Sequence, residues 1–120
     1  MKKILVIDDD QGLCRSVVTM ILNTFSERVE VLSADSSKTG WDVFLSQQPD
    51  IVITDLSMIG WDSTDGAELA TRIKEIRPEV KVIIWTAGDV RDIPANCLAD
   101  LRLHKLQDRN RLFPAIEAWL

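Results

Sequence analysis

Apolar residues in this chain arrive in short unbroken runs, and each run stops at a polar side chain. Ile4-Leu5-Val6-Ile7 ends at Asp8-Asp9, Ile51-Val52-Ile53-Thr54 at Asp55, Val82-Ile83-Ile84-Trp85 at Thr86, and Leu101-Arg102-Leu103 lies next to His104 and Lys105. Consecutive apolar positions of this length are expected of parallel strands covered on both faces. They place strands over residues 3–8, 50–55, 80–86 and 101–104, with a further edge-like strand over residues 29–33. The segments between them have helical spacing. Leu13, Val17, Met20 and Ile21 mark a helix over residues 11–24, with Asp10 helping it begin. Trp41, Phe44 and Leu45 form the inner face of a second helix, capped by Ser36 or Ser37 and ended by Pro49. Leu69, Ile73 and Ile76 mark a third, stopped before Pro78. Between Thr86 and Leu101 the pattern supports only a short helix near residues 95–100. Leu112, Ile116 and Leu120 define a terminal helix, with Asp108 or Asn110 near its cap.

Strands alternating with helices predict an α/β fold with one doubly wound parallel sheet, whose ligand site lies beyond the carboxyl ends of the strands. The 120 residues fit one domain spanning positions 1–120. A net charge of -5 makes direct nucleic-acid binding through counterion release a poor expectation. Cys14 and Cys97 lack the spacing of a metal site or a redox pair and read as reduced thiols of a cytoplasmic protein. Lys2-Lys3 is followed by too short an apolar stretch for a signal peptide, and no segment reads as inserting in a membrane.

The strand ends bring candidate chemistry to one edge. Asp8, Asp9 and Asp55 together form a carboxylate cluster that needs a cation to offset mutual repulsion, and an all-oxygen donor set of this kind suits Mg2+. Asp55 ends the central strand, where a carboxylate can accept a phosphoryl group as an aspartyl phosphate once the incoming charge is neutralised. Lys105 would pair with one phosphoryl oxygen, and the Thr86 hydroxyl would donate to another. Trp41, Trp85 and Trp119 sit at core-compatible positions, Trp61 lies in the connector beside the site, and His104 reads as a strand-end side chain.

The run from Ile4 to Asp10, the stretch from Pro49 to Met58, Trp85-Thr86-Ala87 and Lys105 occur in the order that resembles the receiver (CheY-like) domain of two-component response regulators. The likeness extends to Leu112, Ala115 and Ile116. It implies a flavodoxin-like sheet of order 2-1-3-4-5 with about five helices, the fourth short or irregular. It further implies a signalling domain, not an enzyme in its own right, that assists its own phosphorylation and dephosphorylation. The phosphoryl group would come from a sensor histidine kinase or phosphotransfer protein, and the modified state would change a surface bound by an effector domain or protein, with homodimerisation left open. By position, Asp55 is the phosphoacceptor, Asp9 and Asp55 bind Mg2+ directly, and Asp8 holds it mainly through water. The Ser57 carbonyl is a further ligand, and Thr86 and Lys105 are the switch and phosphate-binding residues.

Several positions depart from the family pattern. Leu106 stands where a cis proline usually follows the lysine. A cis bond before a non-proline residue costs roughly 2.5–4 kcal/mol, so a trans Lys105-Leu106 bond is expected. Arg102 occupies the usual position of a switch tyrosine or phenylalanine. Ile59 replaces a common proline, and Trp61 to Thr64 lengthen the turn before Asp65-Gly66. The segment between Thr86 and Lys105 is short. These changes motivate an alternative reading, a divergent receiver acting as a phosphorylation-independent interaction module. An aspartate-nucleophile phosphatase is disfavoured by Ser57 where a second acid is needed, and a flavin carrier by the acidic turn after the first strand.

Overall fold

A computed structural model describes residues 1–59 and 64–120 of the chain. Its elements in chain order are β1 (Lys2–Ile7), α1 (Gln11–Phe25), a 3-10 turn (Ser26–Arg28), β2 (Val29–Ala34), α2 (Ser37–Gln47) and β3 (Ile51–Thr54). There follow α3 (Asp65–Ile76), β4 (Lys81–Thr86), a second 3-10 turn (Val90–Asp92), β5 (Leu101–His104) and α4 (Arg109–Trp119). The strands are all parallel and lie in the order β2-β1-β3-β4-β5, as expected.

Alternation along the strands divides the core between the two faces of the sheet. Leu5, Ile7, Val52, Val82 and Ile84 pack with Phe44, Leu69 and Ile73 from α2 and α3. Ile4, Val6, Ile51, Ile53, Ile83 and Leu103 pack on the other side with Cys14, Ile21 and Phe25 from α1 and Leu112 and Ile116 from α4. Both faces are therefore dry, which explains why the strands read as continuous apolar runs instead of alternating ones.

Local chemistry sets where the helices begin. The Asp10 side chain accepts from the Leu13 amide at the start of α1. Ser36 and Thr39 exchange side-chain and backbone hydrogen bonds in a capping box at the start of α2. Asp108 precedes α4 without bonding that helix's amides through its side chain.

The expected helix over residues 95–100 is absent. The connector between β4 and β5 instead holds the single 3-10 turn Val90–Asp92 and then runs irregularly, its buried Ile93 and Cys97 joining the α2/α3 side of the core. Two anchored side chains stand in for a helical face. The Cys97 thiol donates to the Ala67 carbonyl at 3.7 Å. The Asp100 carboxylate accepts from the Val82 amide at 2.8 Å and from Lys74 at 3.0 Å.

Some inward assignments are also corrected. Leu13 and Met20 on α1, Leu45 on α2 and Ile76 on α3 are exposed. On α1 the buried stripe runs through Cys14, Ile21 and Phe25, so the true inner face is rotated from the one suggested by counting large apolar residues. Trp85 is buried, whereas Trp41 and Trp119 are half-buried. Both cysteines are free and buried, in agreement with the reduced reading. The expectations for Trp61 and for the turn lengthened by residues 61–63 lie outside the described residues.

Candidate functional site

β1 and β3 are adjacent and in register, with Ile7 opposite Thr54, so the residues that follow them emerge side by side. The ladder continues one step further through the Asp55 amide, which donates to the Ile7 carbonyl at 3.0 Å. Asp8 and Asp55 thus reach the same edge because the two strands end level. The Asp10 amide donates to Asp8 Oδ1 at 2.9 Å and the Leu56 amide to Asp55 Oδ1 at 2.8 Å, which leaves the second oxygen of each carboxylate for other partners.

Those oxygens meet Lys105. Its Nζ lies 2.7 Å from Asp8 Oδ2 and 3.5 Å from Asp55 Oδ2, reaching from the far side of the site. The lysine is placed by β5, whose ladder with β4 extends through the Lys105 amide to the Thr86 carbonyl at 2.8 Å. The Thr86 hydroxyl oxygen accepts from the Gly88 amide at 3.0 Å, leaving its proton to donate elsewhere. The Lys105-Leu106 bond is trans, since no described peptide is cis.

Asp8, Asp9, Asp55, Ser57, Thr86 and Lys105 all line one open cleft of about 730 Å³. Asp8 is buried, Asp55 half-buried and Asp9 exposed. Leu13 and Ile59 contribute apolar rim. Every described residue expected at the site is present there except Arg102, a β5 residue whose side chain reaches back over the β4–β5 connector and donates to the Cys97 carbonyl at 3.0 Å and, at 3.4 Å, to that of Ala95.

The electrostatics follow from burial and unequal distances. Burial pushes the Asp55 carboxyl above the ordinary carboxylate range, and the nearby Asp8 charge adds to this. Lys105 opposes the rise without cancelling it. The reason is visible in the geometry, because the ammonium makes its short contact with Asp8 and only a long one with Asp55. For Lys105, burial works against the charged form, yet the hydrogen bond to Asp8 and the charge of Asp55 prevail and raise its pKa above the usual lysine value.

One ammonium faces three carboxylates, and ligand oxygens of Asp8, Asp9 and Asp55 lie within 4.8 Å of one another. A hard-oxygen set with surplus negative charge fits a divalent ion such as Mg2+, and contains no sulfur or imidazole to favour zinc or copper.

Sequence reasoning overlooked two positions that hold this edge together. Asp65, buried at the start of α3, accepts from the Met58 amide at 2.8 Å and from the Ser37 hydroxyl at 2.7 Å, tying the segment after Asp55 to α2. Gly66 donates its amide to the Leu56 carbonyl at 2.9 Å, and a side chain there would run into the Asp55 carbonyl. An acid followed by glycine at a helix start was the available signal; its partners, being far away in sequence, were not.

Comparison with known proteins agrees with this arrangement. Residues 4–117 match the response regulator receiver domain family. The transcriptional regulatory protein GlrR of Escherichia coli (strain K12) is 34% identical over 117 residues, covering 95% of this chain and 25% of GlrR. The chain therefore spans about a quarter of the length of that relative. Among solved structures, a response regulator receiver domain protein from Clostridium thermocellum is 32% identical with a TM-score of 0.80, covering 99% of this chain and 94% of that one. TrrA from Thermotoga maritima, solved in complex with Mg2+ and BeF, is 27% identical with a TM-score of 0.82 over 100% of both chains.

Proposed function

The chain belongs to the response regulator receiver domain family, and from that premise we propose that it is a phosphoaccepting signalling domain of a two-component system or phosphorelay, with Asp55 as the acceptor. The observation that carries this reading is the cleft itself, in which Asp8, Asp9 and Asp55 cluster and Lys105 bridges two of them.

In the proposed reaction an Asp55 oxygen attacks the phosphorus of a phosphohistidine, the P–N bond breaks, and the imidazole leaves with its electron pair while an acyl phosphate forms. Lys105 is already near the accepting carboxylate and would move from Asp8 toward a phosphoryl oxygen. The Thr86 hydroxyl donates to another. Asp9 and Asp55 would hold Mg2+ directly, with Asp8 acting through water and the Ser57 carbonyl as a further ligand. When bound, the ion supplies the charge neutralisation that lets an anionic phosphoryl group approach carboxylates.

The donor would be a sensor histidine kinase or phosphotransfer protein, and the phosphorylated state would alter the surface offered to an effector domain or protein. No described helix is long and apolar enough to cross a membrane, and a cytoplasmic location is part of the same proposal. Incubation with acetyl phosphate and Mg2+ should add the mass of one phosphoryl group to the wild-type chain and none to Asp55→Asn. Absence of the adduct in the wild type, or its persistence in Asp55→Asn, overturns the assignment.

The helix-free connector, with Arg102 laid across it, favours a second reading in which the scaffold binds its partner without phosphorylation. That reading requires equal partner affinity for wild type and Asp55→Asn.

A further inference from the structure

His104, the last residue of β5, is bonded to the loop that follows it through its backbone and its ring. Its amide donates to Asp108 Oδ2 at 2.8 Å, and its carbonyl accepts from the Asp108 amide at 3.0 Å. Its Nδ1 accepts from the Leu106 amide and from the Gln107 amide, each at 3.1 Å. Lys105 sits inside this wrap, one residue after the ring and one before the first captured amide.

A ring nitrogen facing two N–H donors must present a lone pair, so the imidazole is neutral with its proton on Nε2. Protonation of Nδ1 would set a donor against two donors and release both amides. The carboxylates placed to feel a charge on this ring are Asp89, on the connector after β4, and Asp108, in the loop. Each carboxylate has its own cation, Arg91 at 2.7 Å and Arg111 at 3.4 Å. The neighbouring Lys105 ammonium is directed to Asp8. Thr86, the β4 residue opposite His104, carries no charge.

We propose that His104 is a positioning residue for Lys105: its neutral imidazole pins the two amides after the lysine and so fixes the loop from which the ammonium reaches Asp8 and Asp55. The role in phosphoryl transfer rests on Asp55 being the acceptor; the pinning of the loop does not. An asparagine can replace the ring, since its side-chain carbonyl offers an acceptor at a comparable distance along the side chain and does not titrate. A leucine fills similar space and offers none.

Two measurements on the full chain test this. In nitrogen-15 NMR, His104 Nδ1 should be unprotonated at neutral pH, and the Leu106 and Gln107 amides should exchange slowly in wild type and His104→Asn but about tenfold or more faster in His104→Leu. With acetyl phosphate and Mg2+ at about pH 8, phosphorylation should slow roughly tenfold in His104→Leu and stay within about twofold of wild type in His104→Asn. Amide exchange indifferent to His104→Leu overturns the inference, as does a wild-type rate in that variant. If the amides follow His104 while no chain accepts a phosphoryl group, the acceptor assignment fails and the pinned loop stands.

Discussion

Gly66 packs so tightly on the carbonyl of Asp55 that a Cβ at this position would overlap the oxygen, while its amide is already committed to Leu56. The obstacle is backbone, which cannot swing away as a side-chain tip could. Gly66→Ala should therefore destabilise the fold by about 1–3 kcal/mol or more, measured by urea unfolding, and should weaken Mg2+ binding by shifting Asp55. A variant as stable as wild type would show that the start of α3 can withdraw freely.

Burial that raises the Asp55 pKa has a stability consequence of definite sign. A carboxyl whose folded-state pKa exceeds its unfolded value penalises the fold when ionised. The penalty is full above the folded pKa, fades as the pH falls from there toward the unfolded value, and is gone below it. Without divalent ions, Asp55→Asn should raise Tm by a few degrees at neutral pH, and the gap should close as the buffer is taken into the ordinary carboxylate range. Thermal scans across pH check this, and a constant gap would contradict it.

Asp65 holds the segment after Asp55 through two short hydrogen bonds from a buried position. Asp65→Ala leaves the Met58 amide and the Ser37 hydroxyl without that acceptor, and should cost about 2–4 kcal/mol. Ser37→Ala, which removes only the outer of the two donors, should cost about 1 kcal/mol. Equal costs for the two in chemical denaturation would mean that the Met58 contact contributes nothing.

Arg102 lies across the connector between β4 and β5 and bonds its carbonyls. Arg102→Ala should lower stability by about 1 kcal/mol and speed proteolytic cutting within residues 94–99, while leaving phosphorylation by acetyl phosphate near the wild-type rate. Unchanged cleavage would remove Arg102 from any part in holding this face.

The acidic cluster was readable in the chain because each carboxylate directly follows an apolar strand, and parallel strands deliver their final residues to a common edge. Thr86 and Lys105 were readable for the same reason. The reading failed where assignment depended on contacts between distant segments. Leu13 and Met20 suggested an inner face for α1, but the sheet receives the smaller Cys14 alongside Ile21 and Phe25. Leu45 and Ile76 continue the apolar periodicities of their helices, yet both side chains stay exposed beside the buried Phe44 and Ile73. The connector after β4 offered enough apolar residues for a helix near residues 95–100. Ile93 and Cys97 instead fill that side as irregular chain, held by partners in α3 and β5. His104 looked like an ordinary strand end because a ring that accepts backbone amides leaves no mark in hydrophobic patterning.

The pairing of β1 with β3, from Ile4 opposite Ile51 to Ile7 opposite Thr54, means that the separation between Asp8 and Asp55 is counted in strand residues. Deleting one residue from either strand would slide its carboxylate by about 3.3 Å and turn it toward the opposite face of the sheet. Lengthening a connector at the same edge shifts neither strand. A change of length is thus tolerable in the loops of this chain, while the two strands that set the acids side by side must keep step.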